Sequence, residues 1–578
     1  MERGQNPFAK RTAPTARQNP TLAIQNMLGN GLRLHRAGRL NEAEQVYRQI
    51  LAIDAQHADS LHLLGMIAYQ AGCHETAVEL IYRAIAVNQA EAAYHSNLGT
   101  VLQAQGKLQE AAASYQRAVI LKPDLPEAHY NLGNVLYERE QWEQAAGCYE
   151  RAALLKPNLA EAHYNLGNAL HTQDRFDEAV ACYERALTLN PEKYEARHNL
   201  GNALQAQGKI EEAIVCYEQV LAIQPGYAKA QYSLGCALHA LGNPHEALAR
   251  YRLARALQPD FAQAGFSESL AQLLQGEFAS GWRNFERRWR TEDHDTPMRP
   301  YPQPLWKGEK LESGRLLIWR EQGVGDEIMF AGLIPDVIRT GNACTLDCDA
   351  RLQPLLARSF PDIDVISSQI AGQAPENKGH IAAHLPGGSL PGLFRRSAAS
   401  FAATTSPYLV ADQGAKERFR SRYIDQDGNR RLVGLAWHTN NRRTGRTRSI
   451  DLSLFTPLFA RSGIRWVSLQ YGDHEALEKE AMVADSLLLI DRSVDQFTNI
   501  DLFAAQIAAM DLVITIDNST AHLAGALGVP TWVLLPFAPD WRWLQAREDS
   551  PWYPTLRLFR QPRRGDWKSV VKKVEGTL

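Results

Sequence analysis

The sequence has little of what marks several large classes of protein. Only seven cysteines occur in 578 residues, which is too few for a disulfide framework. The 62 basic and 64 acidic residues leave a net charge of −2, so there is no electrostatic footprint for nucleic acid and no polybasic membrane patch. No apolar run approaches the roughly 18 residues of a membrane span. We therefore expect a soluble, cytoplasmic protein with reduced thiols.

The first twenty residues also lack something, namely the apolar stretch of a signal peptide. Residues 1–20 are polar, with scattered Arg and Lys among Gln, Thr and Pro, and we interpret them as a disordered lead-in. The chain as a whole is 45% apolar, which is enough to build several packed domains.

A 34-residue period runs through the first half of the chain. Seven glycines recur with this period, an alanine follows each after twelve positions, an aromatic follows six of them after sixteen, and a proline closes the unit from the third repeat onward. The glycines are Gly31, Gly65, Gly99, Gly133, Gly167, Gly201 and Gly235. Such a unit is a pair of antiparallel helices, crossing at Gly and Ala, that buries its apolar face only by stacking. The pattern resembles tetratricopeptide repeats over residues 22–290, with seven repeats and a degenerate cap in which Ser269 replaces the glycine.

Asparagines recur on one face of the first helix of the central repeats. They are Asn97, Asn131, Asn165 and Asn199, and the last three begin an Asn-Leu-Gly-Asn run. Stacked repeats would align them as a ladder, whose amides offer donors and acceptors to the backbone of an extended peptide. The run resembles the repeats of O-GlcNAc transferase, in which such a ladder holds the polypeptide acceptor. The alternative is that these side chains only cap or bridge neighbouring helices.

The period changes after residue 290. Residues 291–312 are Pro-rich and aperiodic, as in a linker or an ordered strap. Beyond them, short apolar runs alternate with helical patterns, which is typical of βαβ units. We predict strands at 315–319, 344–348, 363–366, 432–437, 464–469, 511–516 and 531–535. Two Rossmann-like lobes, 313–428 and 430–578, would then enclose a cleft.

A glycine loop follows the first predicted strand. Gly323 and Gly325 allow close backbone approach to a substrate or phosphate, and Asp326 comes next, before an apolar helix at 328–338. A dinucleotide fingerprint would have a third glycine at Ile328, so a dehydrogenase is disfavoured. His384 precedes a Pro-Gly-Gly run and is interpreted as a turn residue lining the cleft.

The second lobe contains a more specific run, which begins at Asp517 directly after a predicted strand. Ser519 and Thr520 fall at a helix N-terminus, as caps beside free N–H groups that favour an anion. His522 lies on the first turn, where it would donate to a phosphate, and Arg448 in an arginine-rich loop would neutralise the same phosphates. The plainer alternatives are a helix cap for Asp326, a core histidine for His522 and a solvated surface charge for Arg448.

These residues resemble the heptosyltransferase-like glycosyltransferases, the two-lobed GT-B type called glycosyltransferase family nine. That family has an Asp-x-[Ser/Thr]-x-x-His-Leu-Ala-like run that binds the nucleotide-sugar, and a Gly-Asp whose Asp acts as base. Asp517, Ser519, His522 and Asp326 match these positions, and the resemblance spans nearly all of 313–578. The short first lobe and the repeat array depart from the lipopolysaccharide enzymes and leave the heptose donor and the lipid acceptor open.

The fold class expected is thus an α-solenoid followed by a two-lobed α/β GT-B domain. The resemblance implies an inverting glycosyltransferase with a nucleotide-sugar co-substrate, no cofactor, and a protein acceptor in the repeat groove. We expect no Asp-x-Asp run at a strand end, where a divalent metal would hold the donor phosphates. We therefore predict metal-independent transfer. The alternatives are a repeat scaffold with a catalytically silent transferase-like domain, or a transferase that acts on glycan or lipid.

Overall fold

The computed structural model describes residues 20–291, 296–367, 380–404, 406–424, 430–440, 445–484 and 487–578. The predicted lead-in lies outside this part of the chain except for Pro20, at which the first helix begins. The chain divides into two compact units, one ending at Ile223 and the other running from Gln224 to Leu578. None of the described helices is both long and apolar enough to cross a bilayer.

Within the described residues, the repeat region forms sixteen helices in eight hairpins, of which six hairpins belong to the first unit and two to the second. The helices are α1 Pro20–Arg36, α2 Leu40–Ile53, α3 Ala58–Gln70, α4 His74–Val87, α5 Ala92–Ala104, α6 Leu108–Leu121, α7 Pro126–Glu138, α8 Trp142–Leu155, α9 Ala160–Thr172, α10 Phe176–Leu189, α11 Tyr194–Ala206, α12 Ile210–Ile223, α13 Ala228–Ala240, α14 Pro244–Leu257, α15 Ala262–Leu274 and α16 Phe278–Phe285. The predicted tetratricopeptide architecture is confirmed.

The repeated glycine is explained by the aromatic residue sixteen positions later. A Cβ added at Gly167 would lie 2.6 Å from Cε1 of Tyr183, so only glycine lets this ring pack against the first helix of its own hairpin. The predicted stop signals are also confirmed, because the closing proline stands two positions beyond the second helix, as Pro157 does after α8.

The second unit contains the last two hairpins together with the α/β region. The eighth hairpin is part of the α/β core, since the Trp282 indole donates to the carbonyl oxygen of Arg395 at 2.9 Å. The Trp282 ring also packs edge-on against Trp541, with 5.2 Å between centroids. The predicted cap therefore buries its outer face on the region that follows it.

Two parallel sheets make up the α/β region. The strands are β1 Arg315–Trp319, β2 Cys344–Asp347, β3 Asp364–Ile366, β4 Ile381–Pro386, β5 Arg431–Leu435, β6 Ile464–Ser468, β7 Leu512–Ile516, β8 Thr531–Leu535 and β9 Leu556–Arg560. The first sheet has the order β3-β2-β1-β4 and the second β6-β5-β7-β8-β9, with every pairing parallel. All seven predicted strands are present, and β4 and β9 are additional.

Helices connect these strands and cover their faces. They are α17 Val324–Ala331, α18 Ile334–Arg339, α19 Gln353–Ser359, α20 Leu390–Phe394, α21 Gln413–Tyr423, α22 Gly445–Arg448, α23 Thr456–Phe459, α24 His474–Val483, α25 Ile500–Ala508, α26 Ser519–Ala526 and α27 Trp567–Thr577. The prediction of a single helix at 328–338 was wrong, because the helix is interrupted between α17 and α18. A Cβ at Gly332, in this break, would lie 2.9 Å from the Tyr408 ring.

The described part of the Pro-rich stretch runs along β4. The backbone N–H of Trp306 donates to the carbonyl oxygen of His384 at 2.9 Å, and the backbone N–H of His384 donates to the carbonyl oxygen of Pro304 at 3.1 Å. His384 is therefore a buried strand residue, and its interpretation as a turn residue in the cleft was wrong. Its Nδ1 accepts a hydrogen bond from the Trp319 indole at 3.1 Å.

Candidate functional site

The loop after β1 holds Asp326 at the start of α17. The backbone N–H of Gly323 donates to Oδ2 of Asp326 at 3.2 Å, so this carboxylate caps the helix through one of its two oxygens. The loop begins at Glu321, whose carboxylate receives two hydrogen bonds from the fully buried Arg288 guanidinium, at 2.8 and 2.9 Å. This ion pair joins the end of the repeat region to the loop that holds Asp326.

The loop after β7 forms the second wall of the site. Asn518 caps α26, since its Oδ1 accepts from the N–H of Ala521 at 3.3 Å, and the prediction that Ser519 and Thr520 are the caps was wrong. Among the described residues, no acceptor lies against the backbone N–H groups of Ser519 and Thr520. The positive end of α26 is thus open toward the site, as an anion would require.

The loop after β8 provides residues to which the sequence interpretation gave no role. Asp540 accepts from the backbone N–H of Arg542 at 3.1 Å and from its guanidinium at 2.6 Å. The same guanidinium donates through Nη2 to Oδ1 of Asp326. Arg542 therefore links the loop after β8 to the loop after β1.

Arg448 extends this linkage to β7. Its Nη1 lies 3.1 Å from Oδ2 of Asp517, and its Nη2 lies 3.4 Å from Oδ2 of Asp540. Three aspartates and two arginines thus form one alternating chain: Asp517, Arg448, Asp540, Arg542 and Asp326. Arg448 is not the solvated surface charge of the plainer interpretation, because it is largely buried between two carboxylates.

A cavity of ≈ 350 Å³ lies at the meeting point of these loops. Its lining consists of Gly325, Asp326, Thr439, Arg448, Tyr471, Asp517, Asn518, Ser519, His522, Asp540 and Arg542. Six predicted site residues are thus brought together from loops that are remote in the sequence, namely Gly325, Asp326, Arg448, Asp517, Ser519 and His522. Two are not, since neither the buried Thr520 nor the exposed Gly323 lines the cavity.

Burial and the two arginines set the charges of this cavity. Burial raises the pKa of the Asp517 carboxyl, an effect that Arg448 opposes and Asp540 reinforces. Burial alone would also raise the pKa of Asp540, but Arg542 and Arg448 hold it at about 2. Burial lowers the pKa of His522 to about 3, and both arginines add to the effect. His522 is therefore neutral at neutral pH, and the arginines supply the positive charge.

The ring of His522 contacts a tyrosine through one of its two nitrogens. Nδ1 lies 2.9 Å from the Tyr553 hydroxyl. A hydroxyl can donate to Nδ1 or accept from it, so both tautomers of the neutral ring fit this contact. No hydrogen bond joins Nε2 to a described residue, so this nitrogen is left to contact a ligand. The predicted contact of His522 with a phosphate stays a prediction.

The glycine loop is needed for the approach of α17 to α26. A Cβ at Gly325 would lie 3.3 Å from Cδ2 of His522 and 3.6 Å from Cα of Ser519. The His522 ring is fixed from another side by stacking on Trp543, with 5.3 Å between centroids. The two helix starts are thus held in contact across the cavity.

A second cavity, of ≈ 710 Å³, shares Arg448 and Asp540 with the first. It is lined by Cys236 and His239 of α13, by Phe537 in the loop after β8, and by further residues of α14, α15 and the C-terminal sheet. Cys236 follows Asn202 by one full repeat, so it occupies the position of the second asparagine in the repeated Asn-Leu-Gly-Asn run. The ladder face of the last repeat therefore opens onto the candidate site within the second unit.

The predicted asparagine ladder is hydrogen-bonded within the repeats. Nδ2 of Asn165 donates to Oδ1 of Asn134 at 3.0 Å and to the Tyr130 hydroxyl at 3.2 Å. Asn199 repeats this pattern one unit later, on Asn168 and Tyr164. Nδ2 of Asn97 lies 2.7 Å from Nε2 of His62, whereas Asn131 has no side-chain partner among the described residues.

Asn165 and Asn199 thus bridge neighbouring repeats, as the structural alternative proposed. Both N–H groups of each amide are used. The carbonyl oxygen of Asn165 is left to accept from a peptide, whereas that of Asn199 lies 3.3 Å from Nδ1 of His198. A groove of ≈ 190 Å³ lies beside this row in the first unit and is lined by Asn134, Asn165 and Asn168, among others. The role of the ladder in binding a peptide stays a prediction.

One metal-binding pattern was overlooked in the sequence. Asp347 ends β2 and Asp349 follows Cys348, so an Asp-x-Asp run does stand at a strand end. Asp347 pairs with Arg299 at 2.5 Å, and Asp349 pairs with Arg351 at 2.8 Å and Arg320 at 3.3 Å. These carboxylates are occupied by arginines, and the described residues contain no group of three or more His, Cys, Asp or Glu suited to a metal. Metal independence stays a prediction.

Comparison with known proteins identifies the repeats. A family model described as "Tetratricopeptide repeat" matches residues 160–193, and a second model of the same description matches 182–215. A model described as "TPR repeat" matches residues 101–139, 133–174 and 201–242. The central repeats are therefore tetratricopeptide repeats.

Individual relatives share part of the chain. Protein FlbA of Caulobacter vibrioides is 30% identical over 334 residues, which are 54% of this chain and 54% of FlbA, so the chain spans about half the length of this curated relative. Among solved structures, YrrB, "a TPR protein with an unusual peptide-binding site", is 28% identical with a TM-score of 0.31, covering 33% of this chain and 100% of YrrB. PilF of Pseudomonas aeruginosa is 20% identical with a TM-score of 0.34, covering 37% of this chain and 96% of PilF.

Proposed function

We propose that this protein is a glycosyltransferase of the GT-B type that moves a sugar from a nucleotide-sugar to a hydroxyl of a protein held by the repeats. One observation carries the proposal. Loops at the carboxyl ends of four parallel strands, β1, β5, β7 and β8, bring three carboxylates, two guanidiniums and a helix N-terminus to one cavity of ≈ 350 Å³. Ligands of α/β proteins bind at such strand ends.

The donor diphosphate would bind on the side of the second sheet. The free N–H groups of α26 and the guanidiniums of Arg448 and Arg542 are the anion-binding groups of this cavity. Such donors stabilise a leaving diphosphate without a metal, since they are already oriented before charge develops. His522 would form a hydrogen bond with the donor through Nε2.

The reaction would begin from the side of the first sheet. Asp326 removes the proton from the acceptor hydroxyl, and the hydroxyl oxygen forms the new bond to the anomeric carbon. The bond between that carbon and the phosphate oxygen breaks, and its electron pair leaves with the nucleoside diphosphate. Attack opposite the leaving group inverts the anomeric centre.

A protein acceptor is supported by the repeats. Solenoid repeats form extended concave surfaces that bind other proteins. The ladder face of the last repeat lines the ≈ 710 Å³ cavity that shares Arg448 and Asp540 with the candidate site. All seven cysteines carry free thiols, which agrees with a reducing, cytoplasmic location.

The donor reaction is tested with the purified full chain and a panel of nucleotide-sugars. Release of nucleoside diphosphate is measured, because transferases slowly hydrolyse their donors. Asp326→Asn is expected to lower turnover by about 10²–10⁴-fold, the usual contribution of a general base. The matched control is Asp473→Asn, which removes an exposed carboxylate near Tyr471 and keeps a side chain able to cap α24.

Absence of turnover with every nucleotide-sugar would favour the repeat scaffold with a silent domain. Wild-type turnover in a folded Asp326→Asn variant would remove Asp326 as the base. The acceptor is identified separately, by intact mass of candidate proteins co-expressed with the full chain. Sugar found only on a glycan or lipid fraction would refute the protein acceptor and leave the transferase in place.

A further inference from the structure

Arg542 has two different partners in the candidate site. Its Nη1 and its backbone N–H are bound to Asp540, two positions earlier in the same loop, at 2.6 and 3.1 Å. Its Nη2 is bound to Asp326, from the other sheet. The side chains of Arg542 and Asp326 are 14% and 20% exposed, so a ligand in the cavity can reach both.

This pairing conflicts with the roles that the proposed reaction requires. A carboxylate that acts as base must be open to the acceptor hydroxyl, and a cation that stabilises a diphosphate must be open to the phosphate oxygens. Here each group satisfies the other, because Oδ1 of Asp326 accepts from Arg542 and Oδ2 accepts from the N–H of Gly323. The base and the cation therefore neutralise each other in this arrangement.

We infer that Arg542 is a diphosphate-binding residue that is paired with Asp326 until a diphosphate binds, and that diphosphate binding transfers Nη2 from Asp326 to the phosphate and thereby frees the base. This inference rests on the proposed function. Asp540 retains the guanidinium through Nη1 while Nη2 changes partner, so the movement needs only a rotation of one side chain. The freed Asp326 then takes the proton of the acceptor hydroxyl.

Arg448 is not suited to the same exchange. Its partner Asp517 is buried, and loss of Arg448 would leave that carboxylate without its cation. Asp326 is partly exposed and keeps its hydrogen bond from Gly323 when Arg542 leaves. The ion pair of Asp326 and Arg542 is thus the one that a phosphate can break at the lowest cost in free energy. It follows that the donor must bind before Asp326 can activate the acceptor.

Calorimetry with inorganic pyrophosphate tests this inference without knowledge of the sugar or base. The full chain is titrated in buffer without divalent ions, as wild type, Asp326→Asn, Arg542→Gln and the double variant. Asp326→Asn is expected to bind pyrophosphate about tenfold more tightly, because Arg542 no longer has to leave a carboxylate. Arg542→Gln is expected to bind about tenfold or more weakly, and in its background Asp326→Asn should give no gain.

Two controls separate the exchange from general effects of charge and folding. Asp473→Asn removes an exposed carboxylate two positions after Tyr471, which lines the cavity, and should leave the affinity unchanged. Arg542→Lys keeps the charge and is expected to recover part of the affinity that Arg542→Gln loses. Circular dichroism verifies that each variant is folded.

Unchanged or weaker pyrophosphate binding in Asp326→Asn would overturn the inference, and so would a gain that persists when Arg542 is Gln. Failure of every variant to bind pyrophosphate would overturn it as well. None of these outcomes depends on sugar transfer. Turnover of a nucleotide-sugar without the Asp326→Asn gain would keep the proposed function and reject the exchange, whereas the gain without turnover would do the reverse.

Discussion

In the repeats, the side-chain hydrogen bonds that recur from unit to unit join positions 15, 31 or 35 residues apart, as between Tyr149 and Asn134, Asn165 and Asn134, and Asn165 and Tyr130. In the α/β site, Arg448 and Asp540 are 92 residues apart, and Arg542 and Asp326 are 216 apart. The first set recurs with the sequence period, and the second occurs once. Both regions bury polar groups, but they position them in different ways.

The two regions differ in how far along the sequence their polar partners lie, and they should therefore respond differently to substitution. A repeat contacts itself and its neighbours, so its polar contacts follow from the repeat unit itself and are renewed in each copy. The α/β site exists only when loops from two sheets meet, and each of its charges needs a particular partner from far away. Substitutions in the repeats should therefore have local and graded effects, and substitutions that remove a long-range charge partner should have large ones.

The largest effect on stability is expected at the buried pair of Arg288 and Glu321. Arg288→Met leaves the Glu321 carboxylate buried without its cation, at a cost of about 3–5 kcal/mol in unfolding free energy. Denaturant unfolding measures the cost, and hydrogen exchange of the β1 amides localises it. The matched control in the repeats is Arg39→Met, which breaks an exposed pair with Glu42 and should change little. Equal losses in the two variants would contradict the contrast between the regions.

The second effect compares two glycines in neighbouring repeats. Gly167→Ala places a Cβ against the Tyr183 ring and is expected to cost about 1–3 kcal/mol through overpacking. Gly147 lies inside α8 with nothing within 4 Å of an added Cβ, so Gly147→Ala should stabilise by about 0.5–1 kcal/mol through helix propensity. Thermal unfolding measures the change in stability of both variants. A change of the same sign in both would refute the packing explanation.

The third prediction concerns pH. The unfolded chain binds a proton on His522 near its ordinary pKa of 6.5, whereas the folded chain does so only at about 3. The stability that this neutral ring contributes is present above pH 6.5 and is lost as the pH falls toward 3. His522→Asn keeps a donor for Tyr553 and removes the titration. Wild type should lose stability relative to this variant by up to about 1.4 kcal/mol for each pH unit below about 6.

Melting temperatures between pH 7 and pH 5 measure this difference. The control, His245→Asn, removes an exposed histidine of α14, and the pH dependence of wild type should persist in it. A constant difference between wild type and His522→Asn across this range would show that the ring is not held neutral by burial.

The smallest effect is expected in the ladder. Asn165→Ala removes two hydrogen bonds between repeats and should cost about 1 kcal/mol, whereas Asn131→Ala removes none among the described residues and should cost less. Weaker acceptor binding, measured as a higher KM in both variants, would support the peptide ladder. A loss of stability in Asn165→Ala with an unchanged KM in both would assign the ladder to repeat stacking alone.

Much of the fold was predictable because its signals are local. The glycine period and the terminal prolines each act within one hairpin, and seven strands stood out as short apolar runs. Strand β4 was missed because its Ala-Ala-His-Leu-Pro sequence looks like the start of a turn, and only its pairing with β1 makes it a strand. The break between α17 and α18 was missed because it is required by the ring of Tyr408, which belongs to a remote part of the sequence.

The candidate site was predictable in part for the same reason. Asp326, Asp517, Ser519 and Arg448 follow predicted strands, and parallel strands bring their carboxyl ends to one edge. Asp540 and Arg542 also follow a predicted strand, so the same rule would have found them. The pairing of Arg542 with Asp326 had no such signal, because nothing in the sequence near Trp541 indicates a contact with the loop after β1.

The sequence by itself determined the repeats, the βαβ alternation and the positions of most loops that line the cavity, because periodicity, glycine and proline act over short stretches of chain. Only the tertiary structure decided that Arg542 pairs with Asp326, that burial keeps His522 neutral, and that two ladder asparagines bridge repeats. These properties depend on burial and on the distance between charges from remote segments. Both quantities are set by how the layers pack, and neither is encoded in any one stretch of sequence.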